Sequence, residues 1–485
     1  MEDAPTTTSS TARRPIWQRP VSRRAVLATG ATGAAAAALA VLWKGNDLSQ
    51  ILNQVRDLTH GYQGALTSER VRMAHLLRRA GFGATRTELD HYVAMGQTAA
   101  TEAILNYTKT SNAALESQLP TIDLGSSTPP TAAAIQSWWL QRMTLSARPL
   151  EEKMTLFWHG LLTSGLDKAG SAQLFTQNQL FRSMALGNFD ELLKAVSKNP
   201  AMMVYLDTET NRKGKPNENY ARELMELFTT GIGHYTEDDV RESARSFTGW
   251  TLQGGKQLRY ATASQFVPRL HDAGAKTFMG KTGTFTGDDI VEMLVPLRAT
   301  AVRLTTRLFG FFAYPNPEPE IVNHLADTFQ KAHYNVGAVL REIFTIDAFY
   351  SDKAYRSLVK TPAELVAQTL KATGANAKTY TAAAVAMAPM GQVLFYPPNV
   401  AGWPGGTSWI NSSTLLTRIN FANAATQRGQ GSLAAQSLGQ LSDTLLDANV
   451  SPTTRDGLQS FEAAHPDDRT GLLFMVLATP EFQLN

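Results

Sequence analysis

One segment near the middle of the chain constrains the fold most, because its apolar and polar residues separate at helical spacing. It follows Asn217, a residue type that favours helix N-caps, and contains no glycine or proline from Glu218 to Phe228. At about 100° per residue, one face carries Tyr220, Ala221, Leu224, Met225, Leu227 and Phe228. The other face carries Glu218, Asn219, Arg222, Glu223 and Glu226. The segment therefore predicts a helix with a core on one side and charged groups on the other.

The surrounding sequence predicts a mainly α fold, because helical periodicity recurs from Ser68 towards the C-terminus. The exception is the segment from Trp250 to Phe285, where Gly, Thr, Gln and Lys alternate with aromatic residues. This segment is typical of a loop with one or two short β-hairpins. We expect a multi-helix globular body with an irregular, partly β-hairpin insertion. Residues 68–485 are expected to form a single large helical domain, with residues 44–67 as a linker.

Residues 1–43 resemble an export signal. Paired arginines, Arg23 and Arg24, precede an uncharged run rich in Ala, Gly and Thr that ends at Trp43. This arrangement resembles a twin-arginine signal, whose route carries folded proteins. Ala38-Leu39-Ala40 suits cleavage, but the run of about 19 residues is close to the roughly 20 that span a bilayer. A cleaved signal and an uncleaved N-terminal anchor both remain open. Either one predicts a periplasmic, extracellular or membrane-anchored body outside the cytoplasm.

Composition excludes several kinds of site. The chain has no cysteine, which excludes disulfides, iron–sulfur clusters, thiolate zinc sites and covalent c-type haem. Any divalent metal must be held by His, Asp, Glu or backbone oxygen. Five basic and two acidic residues precede Val41, so the remainder carries 40 of each sign. We therefore expect no nucleic acid partner, and membrane contact only through an uncleaved N-terminal segment.

The polar face of the central helix allows two interpretations. Glu218–Arg222 and Arg222–Glu226 have the i,i+4 spacing of ion pairs on a solvated helix or in a buried structural network. Alternatively, Glu223 and Glu226, one turn apart, form an acid–base pair or bind a metal, with Asn219 orienting them.

Other candidate residues lie far from this helix in sequence. His159, within Leu156-Phe-Trp-His-Gly160, is either a core histidine or a ligand or base. His271 and Asp272 could form a catalytic or metal-linked pair, although adjacent strand residues point to opposite faces. Trp403 and Trp409, in a Pro/Gly-rich loop, are predicted either to bind sugar rings or a partner, or to fill the core. Trp250 is a further candidate for substrate binding. The sequence contains no Walker A, H-E-x-x-H or G-x-S-x-G motif.

Several of these stretches together resemble a known bacterial family, the domain of unknown function 1800. The matching motifs are His75-Leu-Leu-Arg-Arg-Ala-Gly-Phe-Gly83, Phe157-Trp-His159, Pro216 to Phe228, Thr248-Gly-Trp250, His271-Asp272 with Lys276-Thr-Phe278, and Pro397 to Trp403. The resemblance covers roughly His75 to Phe421. It implies an exported, mostly helical protein, often encoded beside another exported protein that is a candidate partner. It implies no activity.

The resemblance is incomplete at one position. Many family members have His-Asn-His after the Phe-Trp pair, whereas here His159 is followed by Gly160 and Leu161. If the second histidine is a metal ligand in those members, this chain lacks it, which weakens the metal interpretation.

Two functions from different classes follow. The first is an enzyme acting on an extracytoplasmic polymer or glycan, whose glutamates, His159 and His271 must line one cleft. The second is a non-catalytic surface binding or assembly protein that uses its aromatic Pro/Gly loop.

The export hypothesis predicts that replacing Arg23 and Arg24 together with lysine leaves the protein in the cytoplasm. The twin-arginine route depends on both guanidinium groups. Fractionation of cells producing each form measures the distribution. The same exchange at Arg13 and Arg14, farther from the apolar run, is the control. Unchanged export of the Arg23/Arg24 variant would contradict the hypothesis.

Overall fold

The computed structural model describes residues 64–125, 128–253, 261–429 and 431–485. The predicted signal, residues 1–43, and all but the last four residues of the predicted linker lie outside this part. In the part described, helices dominate and the β structure is two antiparallel pairs of short strands. The predicted mainly α fold with a partly β-hairpin insertion is confirmed. No helix in the described ranges combines the length and apolar character needed to cross a bilayer.

The helices of the first half are α1 Glu69–Arg79, α2 Arg86–Met95, α3 Gln97–Leu105, α4 Ala113–Glu116, α5 Ala132–Leu145, α6 Pro149–Leu161, α7 Ser171–Ser183, α8 Phe189–Ser197, α9 Pro200–Tyr205, α10 Asn219–Glu223 and α11 Glu237–Ser246. Those of the second half are α12 Gly287–Leu294, α13 Arg298–Phe312, α14 Pro319–Lys331, α15 Val336–Ile343, α16 Pro362–Thr373, α17 Ala377–Ala386, α18 Ser412–Arg428, α19 Leu438–Leu445, α20 Pro452–Ala464 and α21 Arg469–Leu477.

Both strand pairs lie between α11 and α12, within the predicted insertion. β1 Trp250–Leu252 pairs with β2 Ser264–Phe266, and Trp250 lies opposite Phe266. β3 Lys276–Phe278 pairs with β4 Lys281–Gly283. Each strand has three residues, so these hairpins depend on packing against the helices rather than on the few hydrogen bonds between their own strands.

Two large apolar clusters form the core. The first core cluster includes Leu76, Phe157, Trp158, Leu224, Phe309 and Leu340. The second core cluster includes Trp139, Leu156, Leu370, Trp409, Leu415 and Met475. Helix α6 supplies side chains to both clusters, because it is buried on all sides. Its charged residues Glu151, Glu152 and Lys153 are buried together with its apolar residues, so they need partners within the protein.

Buried ion pairs link elements that belong to the two clusters. Arg78, near the end of α1, forms two hydrogen bonds to Asp447, at 2.6 and 2.7 Å. The hydroxyl of Tyr355 donates to the same carboxylate at 2.8 Å. Burial alone would raise the pKa of Asp447, but the charges of Arg78 and Arg356 outweigh burial and lower it. Asp447 is therefore held as a carboxylate by cations from distant segments.

A second buried pair anchors α6. Lys153 forms an ion pair with Glu364 of α16 and donates to the backbone oxygen of Gly81 at 3.0 Å. His75, in the same N-terminal motif as Gly81, bonds through Nε2 to the backbone oxygen of Phe349 at 3.0 Å. The His75–Gly83 motif therefore joins α1 to α6 and to the C-terminal half of the chain.

We predict that Asp447→Asn destabilises the fold by about 3–5 kcal/mol, because it leaves buried cations without their counter-charge. Asparagine preserves the shape and tolerates the left-handed backbone at this position, φ 59°. Asp327→Asn, which disrupts a solvent-exposed pair with Arg298, is the control and should cost below about 1 kcal/mol. Urea unfolding measures both, and similar losses in the two variants would refute the prediction.

Candidate functional site

The predicted central helix is confirmed, but its second half has a different geometry. Residues Asn219–Glu223 form α10, and Leu224–Phe228 continue it as a π-helix. The Asn217 side chain accepts a hydrogen bond from the backbone of Asn219 at 3.0 Å, as expected for a residue that starts a helix. Tyr220, Ala221, Leu224, Met225 and Phe228 are buried and Leu227 is partly buried against the same cluster, so the predicted apolar face is correct. Single π-turns within helices are frequent at functional sites.

Hydroxyl groups complete the end of the π-turn. The Thr229 hydroxyl donates to the backbone oxygen of Leu224 at 2.6 Å, and Thr230 donates to that of Met225 at 3.2 Å. The backbone N–H of Gly231 also donates to the Met225 oxygen, at 2.8 Å, so backbone and hydroxyl groups together complete the end of the helix. The wider turn changes the direction of Glu226 relative to the preceding turn of α10.

This change alters the predicted ion pairs. Arg222 bonds to Glu218 at 3.4 Å, which confirms that pair. It also forms two hydrogen bonds to Glu237, at 2.9 and 2.7 Å, at the start of α11. The predicted Arg222–Glu226 pair is wrong: in the described structure Glu226 instead accepts a hydrogen bond from the Tyr235 hydroxyl at 3.0 Å. Arg222 therefore joins α10 to α11, and Glu226 bonds to Tyr235 in the turn just before α11.

Asn219 does not orient the glutamates. Its Nδ2 donates to Asp207 at 2.9 Å, and Asp207 also pairs with Lys168 at 2.8 Å. The side chain of Asn219 therefore fixes the loop before the helix.

Glu223 and Glu226, like Glu218, are partly buried acids of this face, but unlike Glu218 they have no ion pair with an arginine in the described structure. The carboxylate of Glu223 has no hydrogen bond or ion pair with any residue in the described ranges. Burial, and next the charge of Glu226, raise the pKa of Glu223. Arg303 of α13 lies near Glu226 and donates from Nε to the backbone oxygen of Leu227 at 3.2 Å. Burial lowers the pKa of Arg303, and the charge of Glu226 opposes this shift.

His159 lies away from these acids, in an aromatic environment. Its ring centroid is 5.5 Å from those of Trp139, Phe395 and Trp403. The side chain is 1% exposed, and within the described structure its Nε2 has no hydrogen-bond partner. Burial lowers its pKa to about 3, so the ring is neutral at ordinary pH. This placement corresponds to the core interpretation of His159, while a role in the reaction stays a prediction.

His271 and Asp272 have partners of their own in the insertion. His271 Nδ1 lies 2.8 Å from the backbone oxygen of Thr248, and its ring packs against Phe266. The hydrogen bond from Arg245 lowers the pKa of Asp272 to about 2. In the part of the chain described, neither residue has a hydrogen bond or ion pair with Glu223 or Glu226. These contacts therefore fasten the insertion to α11.

The three tryptophans have different environments. Trp409 is 3% exposed and belongs to the second core cluster, with one edge at a cavity. Trp403 is half-buried beside His159 and lines the same cavity. Trp250 packs on Phe266, with the centroids of the two rings 5.6 Å apart, and it is not among the residues that line the cavity. Among the three predicted substrate-binding tryptophans, Trp403 is therefore the one whose ring both lines the cavity and is partly exposed.

This cavity, of about 520 Å³, lies between the end of α6, the second half of α13 and the Ala401–Gly405 loop. Gly402 lets the loop approach α6 closely: a Cβ there would lie 2.2 Å from the backbone oxygen of Gly160, and its φ is +83°. Arg307 of α13 also lines the cavity and was missed from the sequence. One signal could have revealed it, since α13 contains Arg298, Arg303 and Arg307 but no acidic residue.

A metal centre is not evident from these positions. Within the described ranges, no three His, Asp or Glu side chains are grouped as metal ligands would be. Glu223 and Glu226 supply two carboxylates, and the predicted imidazoles of His159 and His271 have other surroundings. A bound divalent metal stays a prediction from the sequence.

Comparison with known proteins gives one match. A family model described as "Protein of unknown function (DUF1800)" matches residues 75–484. The match begins at His75, where the first of the sequence motifs begins. Searches of curated proteins and of solved structures gave no match.

We predict that His159→Phe reduces the loss of stability in acid. The unfolded state binds a proton at His159 near pH 6.5, whereas the folded state does so only near pH 3. The stabilisation that results from this lowered pKa is therefore present above pH 6.5 and is lost as the pH falls towards 3. His159 contributes a slope of at most about 1.4 kcal/mol of unfolding free energy per pH unit. Unfolding by urea between pH 7 and 4 measures the difference between the proteins.

The matched control is His234→Gln, at an exposed histidine. It should leave the pH dependence unchanged. An equal slope in wild type and His159→Phe would show that folding does not lower the pKa of His159.

Proposed function

Since the chain belongs to the DUF1800 family, whose members are described as proteins of unknown function, we propose its activity from the site alone. We propose that it is an exported enzyme that performs acid–base chemistry on an extracytoplasmic polymer, such as a glycan. Glu223 is the proton donor, and Glu226 is the second carboxylate.

One observation carries this proposal: Glu223 is half-buried beside Glu226, and burial and that neighbouring charge raise its pKa. A carboxyl group with a raised pKa stays protonated closer to neutral pH, as a general acid requires. Its lack of a hydrogen-bond partner in the described structure leaves the proton available to a substrate. Perturbed carboxyl groups of this kind are concentrated at functional sites.

In the proposed reaction, Glu223 donates its proton to the oxygen that leaves as the polymer bond breaks. Glu226 accepts a proton from the water that attacks the same carbon, so the proton lost by one acid is balanced by that gained by the other. The Tyr235 hydroxyl fixes the position of Glu226. Arg303 supplies nearby positive charge.

The location of the substrate follows from the N-terminal sequence. The paired arginines and the apolar run up to Trp43 support export by the twin-arginine route, and a polymer outside the cytoplasm is then accessible. An exported partner encoded nearby is part of the same proposal.

A second candidate function, binding without catalysis, is supported by the cavity beside Trp403. An apolar cavity of a few hundred Å³ with a few polar groups is typical of a ligand site. In this alternative the glutamates are dispensable and ligand binding is the whole function. Because Trp409 is buried, Trp403 would supply the aromatic surface.

We predict that Glu223→Gln abolishes release of reducing ends from polysaccharides, because the amide cannot donate the proton. Glu218→Gln, on the same helix but paired with Arg222, is the matched control and should retain activity. In the wild type, activity should fall as the pH rises through the raised pKa of Glu223. Full activity of Glu223→Gln would overturn the proposed role, and binding without any cleavage would favour the second candidate.

The same variant also separates catalysis from folding. The folded state binds a proton at Glu223 more readily than the unfolded state, so the ionised group opposes folding near neutral pH. Glu223→Gln should therefore melt at the wild-type temperature or slightly above it. A large decrease in melting temperature would instead indicate a structural role.

A further inference from the structure

The described side chains that line the cavity at the end of α6 carry positive charge and no negative charge. In the described structure its walls include no carboxylate, and Arg307 is its ionised residue. The neutral polar groups are Thr306, Asn316, Thr361 and Gln392. A cavity lined by one sign of charge, with apolar walls, raises the local concentration of the opposite charge. The cavity is therefore suited to an anionic group.

Arg307 has no counter-ion within the described ranges, where its guanidinium forms neither an ion pair nor a hydrogen bond. It is exposed to solvent at the cavity, although neighbouring protein surrounds much of the side chain. Burial, and next the charge of Arg303, lower the pKa of Arg307. An anion at the guanidinium would relieve this repulsion between the two arginines. Arginine also binds carboxylate and sulfate groups through two parallel hydrogen bonds.

Trp403 supplies a flat wall for the same cavity. Its ring contacts His159, which fixes its orientation from behind, while its half-buried surface remains open. An indole face packs well against the apolar face of a ring. The volume of about 520 Å³ is within the range of small-molecule sites. The ligand is therefore expected to combine a ring with an acidic substituent.

We propose that this cavity binds an acidic sugar residue, with Arg307 pairing with its carboxylate or sulfate and Trp403 packing against its ring. This inference rests on the proposed function, because it names the substrate of that enzyme as an acidic glycan. Arg303, which lies near Glu226, is one helical turn before Arg307 on α13. A chain bound in the cavity can therefore extend along α13 towards Glu223 and Glu226.

The test is calorimetric titration of the purified mature protein with three probes. These are an oligogalacturonide trimer, a sulfated galactose trimer and the uncharged galactose trimer. We expect one or both acidic trimers to bind, more weakly as salt is added, and the uncharged trimer to bind at least about tenfold more weakly. Absence of binding by both acidic trimers, or equal binding of all three, overturns the inference.

Arg307→Gln is the decisive variant, and it should weaken binding of the acidic trimer by about tenfold or more and remove its salt dependence. The matched control is Arg269→Gln, which removes an exposed arginine on a turn outside the cavity and should leave binding unchanged. Because Arg307 makes no hydrogen bond in the described structure, the variant should fold. Equal losses in the two variants would show a non-specific charge effect and refute the site.

A third variant tests the cavity itself without changing its charge. A Cβ on Gly160 would have Trp403 Cε3, at 4.0 Å, as its nearest neighbour, so Gly160→Leu should fill the space beside that ring. Binding should be lost while the melting temperature stays close to that of Gly160→Ala. Wild-type affinity in Gly160→Leu would place the ligand elsewhere and overturn the inference.

The substrate class and the catalytic assignment can fail separately. Glu223→Gln should bind the acidic trimer with wild-type affinity while failing to cleave it. If Glu223→Gln still cleaves, the catalytic assignment is wrong although the cavity binds acidic sugars. If Glu223→Gln is inactive and acidic trimers do not bind, the catalytic assignment stands and the acidic-glycan inference is wrong.

Discussion

The buried ion pairs around α1 and α6 constrain how the two core clusters pack against each other. A buried carboxylate or ammonium costs several kcal/mol unless its partner is in place. Arg78 must therefore meet Asp447, and Lys153 must meet Glu364, although hundreds of residues separate them along the chain. These pairs do not by themselves make the protein more stable than apolar contacts would. They penalise alternative packings of the two core clusters, and so fix the position of α6.

The position of α6 in turn creates the cavity. Its last turn brings Gly160 against the loop at Gly402, and places His159 behind Trp403. The His75–Gly83 and Phe157–His159 motifs therefore act through the scaffold, since their polar groups bond to backbone, pair with the buried carboxylate of Asp447 or lie among aromatic rings. Arg307 and Glu223 differ, because each is a charged group to which the described structure gives no hydrogen-bond or ion-pair partner. The scaffold motifs account for the shape of the cavity, and the proposed chemistry rests on these two residues.

The sequence predicted what local periodicity determines. The faces of the central helix and the hairpins between Trp250 and Phe285 follow from residue spacing, and both are confirmed. The π-turn was not predictable in this way, because it depends on Thr229 and Thr230 completing the helix end. The partners of Arg222 also depend on tertiary structure: Glu237 reaches it from the next helix, whereas Glu226, one of its two expected i,i+4 partners, bonds to Tyr235. For an arginine on a helix, the i,i+4 acid competes with acids from other elements, and sequence spacing cannot show which acid forms the ion pair.

Glu218 and Glu223 show why a candidate site cannot be read from residue type alone. Both are glutamates on the polar side of one short segment, and in the sequence only the i,i+4 spacing to Arg222 distinguishes Glu218 from Glu223. Glu218 pairs with Arg222, which neutralises its charge at the surface. Glu223 is partly buried against the charge of Glu226. The same contrast separates Arg298, which pairs with Asp327, from Arg307 at the other end of α13. In both pairs the segment is shared and the residue type is identical, so the environment alone separates the member that has an ion-pair partner from the member that has none in the described structure.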